Sequence, residues 1–257
     1  MTKDSHTIAK SARARSFGAV AEAYQAHRPG YPDQVIDWAL APLRPRLDHL
    51  SLLDLGAGTG KLTAALLRRS AAGVIAVEPD PEMLAVLRAT LPGVRALQGQ
   101  AENIPLPDAS VHAVLVGQAF HWFDPVAATA EIVRILRPGG VVALLWNILD
   151  QSIGWVHDFY ETTGWFDRVG RHREQAGLAA HPRLSPTTRI TLDSSVPMTI
   201  KGLLDMLGTF SWISTLDATE QNTAIDRARA YLMSRPEMSS GEFELPMRTT
   251  VLRVERR

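Results

Sequence analysis

The sequence predicts an α/β fold: a doubly wound sheet with helices on both faces. Three observations predict it. A short apolar run, Leu52, Leu53 and Leu55, leads into Gly56, Gly58 and Gly60, and then into Leu62, Ala65 and Leu66 at helical spacing. Strand, glycine turn and helix together open a βαβ unit. The alternation of apolar run and helical stripe then repeats as far as Trp146. Finally, strand-like stretches at 188–198 and 243–254, separated by helices, fit an antiparallel pair closing the sheet.

Taken in order, Phe17, Val20, Ala21 and Tyr24 fall at helical spacing. Arg28-Pro-Gly-Tyr-Pro32 reads as a turn, and Asp33 as the cap of a helix running to about Leu43. After the glycine turn, Val74–Val77 is a second strand and Glu78 stands at its end. Asp80-Pro81-Glu82 starts a helix with Met83, Leu84, Leu87 and Leu91 on one face. Val94–Leu97 is a third strand, 99–108 a proline-broken loop, and Val111–Val116 a fourth, nearly all apolar strand. Gly117–Phe123 is its exit loop. Asp124-Pro125 caps a helix with the stripe Val126, Ala130, Val133 and Leu136; Arg137–Gly140 is a sharp turn; Val141–Trp146 is the fifth strand. Trp155, Phe159, Tyr160 and Trp165 mark an aromatic-rich helical stretch, and 170–186 a basic mobile loop. Helices over Leu203–Leu207 and Asp217–Ser234 follow, the second opened by an Asp217/Glu220 capping box. Pro246 suggests a bulge or bend in the last strand. A single domain, 1–257, is expected: a helical cap at 16–45, a cofactor-binding core at 48–148, and C-terminal strands with a substrate cap at 149–257.

The glycine spacing narrows the ligand. It runs G-x-G-x-G, with Lys61 where a dinucleotide fingerprint needs its third glycine. A phosphate loop fails too, because Leu55 and Leu62 replace its first glycine and its Ser/Thr. Asp54 beside the turn would repel a pyrophosphate and suits an ammonium group. Glu78, twenty residues after Gly58, can accept from both hydroxyls of a ribose. A ribose diol with an ammonium and no phosphate describes S-adenosyl-L-methionine.

Asp54-Leu-Gly-Ala-Gly-Thr-Gly60 and Val77-Glu-Pro-Asp80 resemble the first two cofactor motifs of class I S-adenosylmethionine-dependent methyltransferases. Later segments are similar to the small-molecule, methyltransferase type 11-like branch. The resemblance covers 16–147 well and the C-terminal part weakly. It implies a Rossmann-like seven-stranded sheet with its last strand antiparallel, capped by helices from the N-terminus and from between the sixth and seventh strands. It implies cofactor contacts from Asp54, Gly56, Ala57, Gly58, Gly60, Glu78 and Pro79. The loop after the third strand, Gln100, Ala101 and Glu102, would hold the adenine, with an amide where the family commonly has an acid. Glu102 can instead brace the loop. Gln118 would meet the methionine part, and Tyr24 and Arg28 lie in the segment that folds over cofactor or substrate.

His121-Trp122 follows Gln118. His121 is the candidate general base; the plainer reading, favoured here, is a histidine that holds its loop with Trp122 as packing. A carboxylate acceptor would need no base, only a cation, for which Arg28 and the Arg171-His-Arg173 run are candidates. Trp212 and the aromatics near 155–165 favour an apolar or planar acceptor.

Composition agrees. Of 257 residues 46% are hydrophobic, ample for one large core. Lys plus Arg and Asp plus Glu are 27 each, so the balanced charge argues against nucleic acid as main partner. The absence of cysteine excludes a thiol nucleophile and a cysteine metal site, and the histidines show no ligand spacing, so no metal is expected. No apolar run reaches a membrane span and the polar start is not a signal peptide; a cytoplasmic monomer or homodimer acting on a small molecule is expected. A nicotinamide-dependent oxidoreductase is opposed by the glycine spacing and Asp54. A methyltransferase-like cofactor binder serving as a partner subunit is the non-enzymatic alternative.

Overall fold

The computed structural model describes residues 21–44, 50–69, 73–164, 177–210, 213 and 216–257. Seven strands form one sheet in the order β3-β2-β1-β4-β5-β7-β6. They are β1 (Leu52–Leu55), β2 (Val74–Glu78), β3 (Arg95–Gln98), β4 (Val111–Gly117), β5 (Leu136–Leu149), β6 (Thr188–Thr199) and β7 (Glu242–Glu255). β1 to β5 run parallel; β7 is antiparallel to both β5 and β6. Eight helices of the described residues join them: α1 (Ala21–His27), α2 (Asp33–Leu40), α3 (Lys61–Leu67), α4 (Pro81–Thr90), α5 (Pro125–Ile135), α6 (Gly154–Thr163), α7 (Ile200–Gly208) and α8 (Ala218–Met233).

The strands divide the core by their two-residue period. Leu53, Leu55, Val114, Val116, Val142 and Leu144 face one layer with α5. Leu52, Ala113, Leu115, Ala143 and Leu145 face the other, with α2 and α3. Both layers exclude water, so the central strands read as continuous apolar runs. Asp54 shares the second face with Leu52, which is why a carboxylate comes to be fully buried. A separate cluster joins Leu149, Leu245 and Met247 to α6, α7 and α8, forming a cap beside the main sheet.

Several local expectations need correction. Asp33 is the first residue of α2 rather than its cap: Pro32 holds the cap position, and the Asp33 carboxylate pairs with Arg68 and Arg69. The buried stripe of α5 is Ala128, Thr129, Ile132, Val133 and Ile135, while Val126 is exposed; the first turn lies beyond the edge of the layer it was expected to cover. Arg137–Gly140 is no separate turn, because β5 runs through it with a register shift against β4 between Val111 and Ala113. Pro246 makes no bulge. Its carbonyl accepts from the Asp150 N–H just past the end of β5, so its missing N–H points where no strand needs it. Trp165, the Arg171–Arg173 run, Trp212, and Phe17 and Val20 lie outside the described residues.

The N-terminal segment is pinned at three places along the carboxyl ends of the strands. Thr59 Oγ1 donates to Gln25 Oε1 at 2.7 Å, Asn147 Nδ2 donates to the Gly30 carbonyl at 2.8 Å, and Tyr31 packs on Gly117. A Cβ placed on Gly117 would sit 2.4 Å from the Tyr31 hydroxyl oxygen and 3.1 Å from Leu62. Gly117→Ala is therefore expected to lose roughly 1–3 kcal/mol of stability by overpacking. Adding Tyr31→Phe, which removes the nearest clashing atom, should recover part of that loss in denaturant melts. Equal stability of the wild type and Gly117→Ala would show that this segment is not packed on β4.

Candidate active site

The crevice lies beyond the carboxyl ends of β1, β2 and β4, where open α/β sheets bind ligands. Gly56, Gly58 and Gly60 all have positive φ, at 71°, 56° and 91°. Gly56 also admits no side chain: a Cβ there would lie 2.7 Å from Ala119 Cβ. The turn is held from below, since the Gly56 and Ala57 N–H groups donate to the Val77 carbonyl at 2.8 and 3.1 Å.

Glu78 is 6% exposed and uses both carboxylate oxygens on backbone donors. Oε2 accepts from the Gly58 N–H at 2.8 Å and Oε1 from the Asp80 N–H at 2.9 Å. Asp80 in turn caps α4, accepting from Glu82 and Met83 N–H groups. Burial pushes the Glu78 carboxyl up to about 7, against the opposing pull of those two backbone hydrogen bonds.

Asp54 is the second buried carboxylate. Thr63 Oγ1 donates to its Oδ2 at 2.6 Å, while Oδ1 is buried with no hydrogen-bond partner. Burial, only partly offset by Thr63, raises this carboxyl to about 7. An orphaned buried oxygen is an acceptor waiting for a donor, and an ammonium group fits that description.

Gln118 takes a left-handed conformation, φ 57°, that costs free energy for a residue with a side chain. It is fixed there by its N–H on the Leu145 carbonyl and by its side-chain amide donating to the Asn147 carbonyl. The Asn147 side chain also accepts from Thr249 Oγ1 at 2.7 Å and holds Gly30.

Gln100 is exposed and bridged through its backbone to Asn103; Ala101 is buried. Glu102 braces the loop, accepting from the Asp124 N–H at 2.8 Å. Arg134 secures the same loop through the Ile104 and Leu106 carbonyls and Asp108. Pro79 lies beside it, its carbonyl accepting from Gln98. His121 and Trp122 sit on a 3-10 turn, Phe120–Trp122, with ring centroids 4.8 Å apart; both His121 ring nitrogens are shut off from solvent.

Arg28 is embedded in the cap. Its Nε donates to Thr209 Oγ1 at 2.8 Å, and the guanidinium lies 3.6 Å from the Phe210 ring centroid and 5.0 Å from that of Tyr24. Gln25, Tyr31, Asn147 and Thr209 were not singled out from sequence. For Asn147 a signal existed, since it is a polar residue at the carboxyl end of an apolar strand.

Comparison with known proteins decides the family. A protein described as an uncharacterized methyltransferase in Mycobacterium tuberculosis is 41% identical over 240 residues, covering 93% of this chain and 95% of that one. The chain belongs to the class I S-adenosylmethionine-dependent methyltransferases. A methyltransferase-domain family model matches residues 53–144 of the enzyme. A malonyl-[acyl-carrier protein] O-methyltransferase of Pectobacterium atrosepticum is 36% identical over 163 residues, 63% of each chain. A structure from Anaeromyxobacter dehalogenans, provisionally described as a type II methyltransferase, superposes with a TM-score of 0.61 at 25% identity, covering 89% of this chain and 97% of that one. Among the described residues of the methyltransferase, no group of three or more His, Asp or Glu is placed to hold a metal, and no helix is long and apolar enough to cross a membrane.

The buried carboxyl of Asp54 makes a stability prediction. Its folded pKa, about 7, exceeds the unfolded value of about 3.9. The folded state therefore holds the extra proton between these limits, and stability falls as pH rises from about 4 to about 7. Asp54→Asn removes that loss. The melting-temperature difference, variant minus wild type, should grow across this window and level off above it. A difference independent of pH would show that Asp54 titrates normally.

Proposed function

We propose that the enzyme binds S-adenosylmethionine in this crevice and methylates a small organic acceptor beneath the cap formed by α1 and α6–α8. The observation that carries the reading is the pairing of Glu78 on the glycine turn with the open buried oxygen of Asp54. Glu78 has spent one lone pair of each oxygen on the backbone, and the remaining ones can take a ribose diol. Asp54 Oδ1 supplies the acceptor that an amino group would satisfy. Gln118 and the 100–102 loop stand on the same side, for the methionine part and the adenine. Gln100 is the adenine contact and Ala101 its buried floor; Glu102 is a brace on this reading.

When bound, the cofactor supplies a methyl group on a positively charged sulfur. The residues then have to align an acceptor and keep water out. Tyr24 beside Arg28, Tyr31 on Gly117 and Trp122 on the β4 exit turn put apolar surface near the strand ends, in keeping with a small-molecule acceptor. The balanced charge of the chain supports a small-molecule acceptor over nucleic acid. His121 braces its loop: ring nitrogens closed to solvent and packed beside Trp122 fit a support better than a base that must reach an acceptor.

Calorimetry should show binding of S-adenosylmethionine and S-adenosylhomocysteine but not of NADH or ATP. Glu78→Ala should weaken that binding by about 10- to 150-fold, the loss of charge-assisted hydrogen bonds to a diol. Affinity should rise with pH through about 7, as the Asp54 and Glu78 carboxyls ionise. Tight NADH binding, or an unchanged dissociation constant in Glu78→Ala, contradicts the assignment.

His121 separates two mechanisms. As a brace that takes no part in proton transfer, His121 should tolerate replacement by Asn with most of kcat retained. As a general base, both His121→Asn and His121→Ala should lower kcat by roughly 10²- to 10⁴-fold with cofactor affinity unchanged. That second pattern, with loss of a pH step in the rate, would overturn the bracing role.

A further inference from the structure

Arg28 is a cation held between the N-terminal segment and the end of α7. Its guanidinium is walled by Phe210 and Tyr24, and burial pulls its pKa down with Tyr24, Tyr31 and Tyr160 nearby. Among the described residues Thr209 accepts its hydrogen bonds, from Nε to Oγ1 and from a terminal nitrogen to the backbone carbonyl at 3.3 Å. Of its five N–H donors, others remain. Among the described residues no carboxylate lies within ion-pair distance of Arg28, although Asp33, Asp37 and Asp205 on neighbouring elements each have a cationic partner. Enclosing a guanidinium among neutral groups is costly unless an anion joins it.

Position says where that anion comes from. Gly30 is tied to Asn147 at the end of β5, and Tyr31 reaches Gly117 at the end of β4. Arg28, two and three residues earlier, therefore stands at the mouth of the crevice. It is anchored by the end of α7, a cap helix, whereas the residues assigned to the cofactor stand on the core side. Aromatic rings around a planar guanidinium also make an apolar rim around one charged point.

We infer that Arg28 seats the ionised carboxylate of the methyl acceptor, and that the acceptor is an organic acid with an apolar or aromatic body. The inference rests on the methyltransferase reading of the crevice and names its substrate class. One carboxylate oxygen gives an electron pair to the methyl carbon and a C–O bond forms. The C–S bond breaks and its pair goes to sulfur. The anionic acid becomes a neutral methyl ester and the cationic sulfonium a neutral thioether, with no proton released. No base is needed, in keeping with the bracing role of His121.

The test is calorimetry on the full chain saturated with S-adenosylhomocysteine. trans-Cinnamate, benzoate and octanoate are each titrated against the corresponding neutral amide. Wild type should bind at least one acid about tenfold or more tighter than its amide. Arg28→Met should abolish the preference, and Arg28→Lys should keep part of it. Arg28→Gln, which retains a donor for Thr209, replaces the Met variant if that one fails to fold. Affinity for S-adenosylhomocysteine should change by less than about threefold throughout. Three results overturn the proposal: amides that bind as well as acids, a preference that survives in Arg28→Met or Arg28→Gln, or lost affinity for S-adenosylhomocysteine with 5′-methylthioadenosine binding intact. The last would assign Arg28 to the cofactor's own carboxylate. If S-adenosylhomocysteine fails to bind wild type, the cofactor reading fails, and the acid-against-amide comparison on the protein alone still decides the role of Arg28.

Discussion

The carboxylate of Glu78 ties together the two turns that make the site. It takes one N–H from the glycine turn after β1 and one from the chain leaving β2. Without it, Gly58 would present an unpaired donor in a half-buried place, and Asp80 would lose the anchor that aims it at the start of α4. The bond to Gly58 also bears on the positive φ of that residue. The N–H that meets Glu78 is aimed by a left-handed backbone, a conformation glycine adopts without strain. Burial of this carboxylate is unfavourable, as its raised pKa records, and two backbone hydrogen bonds offset only part of the cost.

A second set of contacts couples the cap to the core through one short stretch of chain. Gln25 meets Thr59, Arg28 meets Thr209, Gly30 meets Asn147 and Tyr31 meets Gly117. The described part of α1 is seven residues, and a helix this short does not hold itself together in water. Its helix exists because α7 and α4 flank it. The segment is thus a bridge whose order depends on docking, and its polar tethers lie at carboxyl ends of strands, where a ligand would enter. Asn147 joins three pieces of the chain at one residue. It receives Thr249 from the antiparallel strand and donates to the N-terminal segment, while its backbone carbonyl fixes the strained Gln118.

What the sequence disclosed depended on whether the determining contact was local. The glycine turn, the separation of Gly58 from Glu78 and the Asp80 and Asp124 caps are short-range chemistry, and all were legible. The apolar strands were legible because a sheet covered on both faces tolerates little else. The misreadings share another cause. Asp33 has the composition of a helix cap, yet two arginines just past the end of α3 claim its carboxylate. Pro246 has the composition of a bulge, yet the strand beside it has already ended. In α5 a helical stripe could be drawn through either Val126 or Ala128, and only the depth of the neighbouring layer chooses. Tyr31 and Asn147 act through pairings across more than eighty residues of chain, and Gln118 through one across 29, none of which periodicity encodes.

The two buried carboxyls close the argument from electrostatics. Burial lifts both carboxyls to about 7, and the nearby Asp54 charge adds to the rise at Glu78. In the protein alone the two weaken the fold once ionised. A cationic ligand reverses the sign, because its charge favours the ionised forms that burial opposes. The same groups that make the free fold less stable therefore give the crevice its preference for a positively charged, diol-bearing ligand. An enzyme built this way gains stability on loading by the differential affinity of the ionised pair for its ligand. On the proposed reading, the amino group and the diol that meet the two carboxylates are kept when the methyl group leaves, so their attraction holds cofactor and product alike.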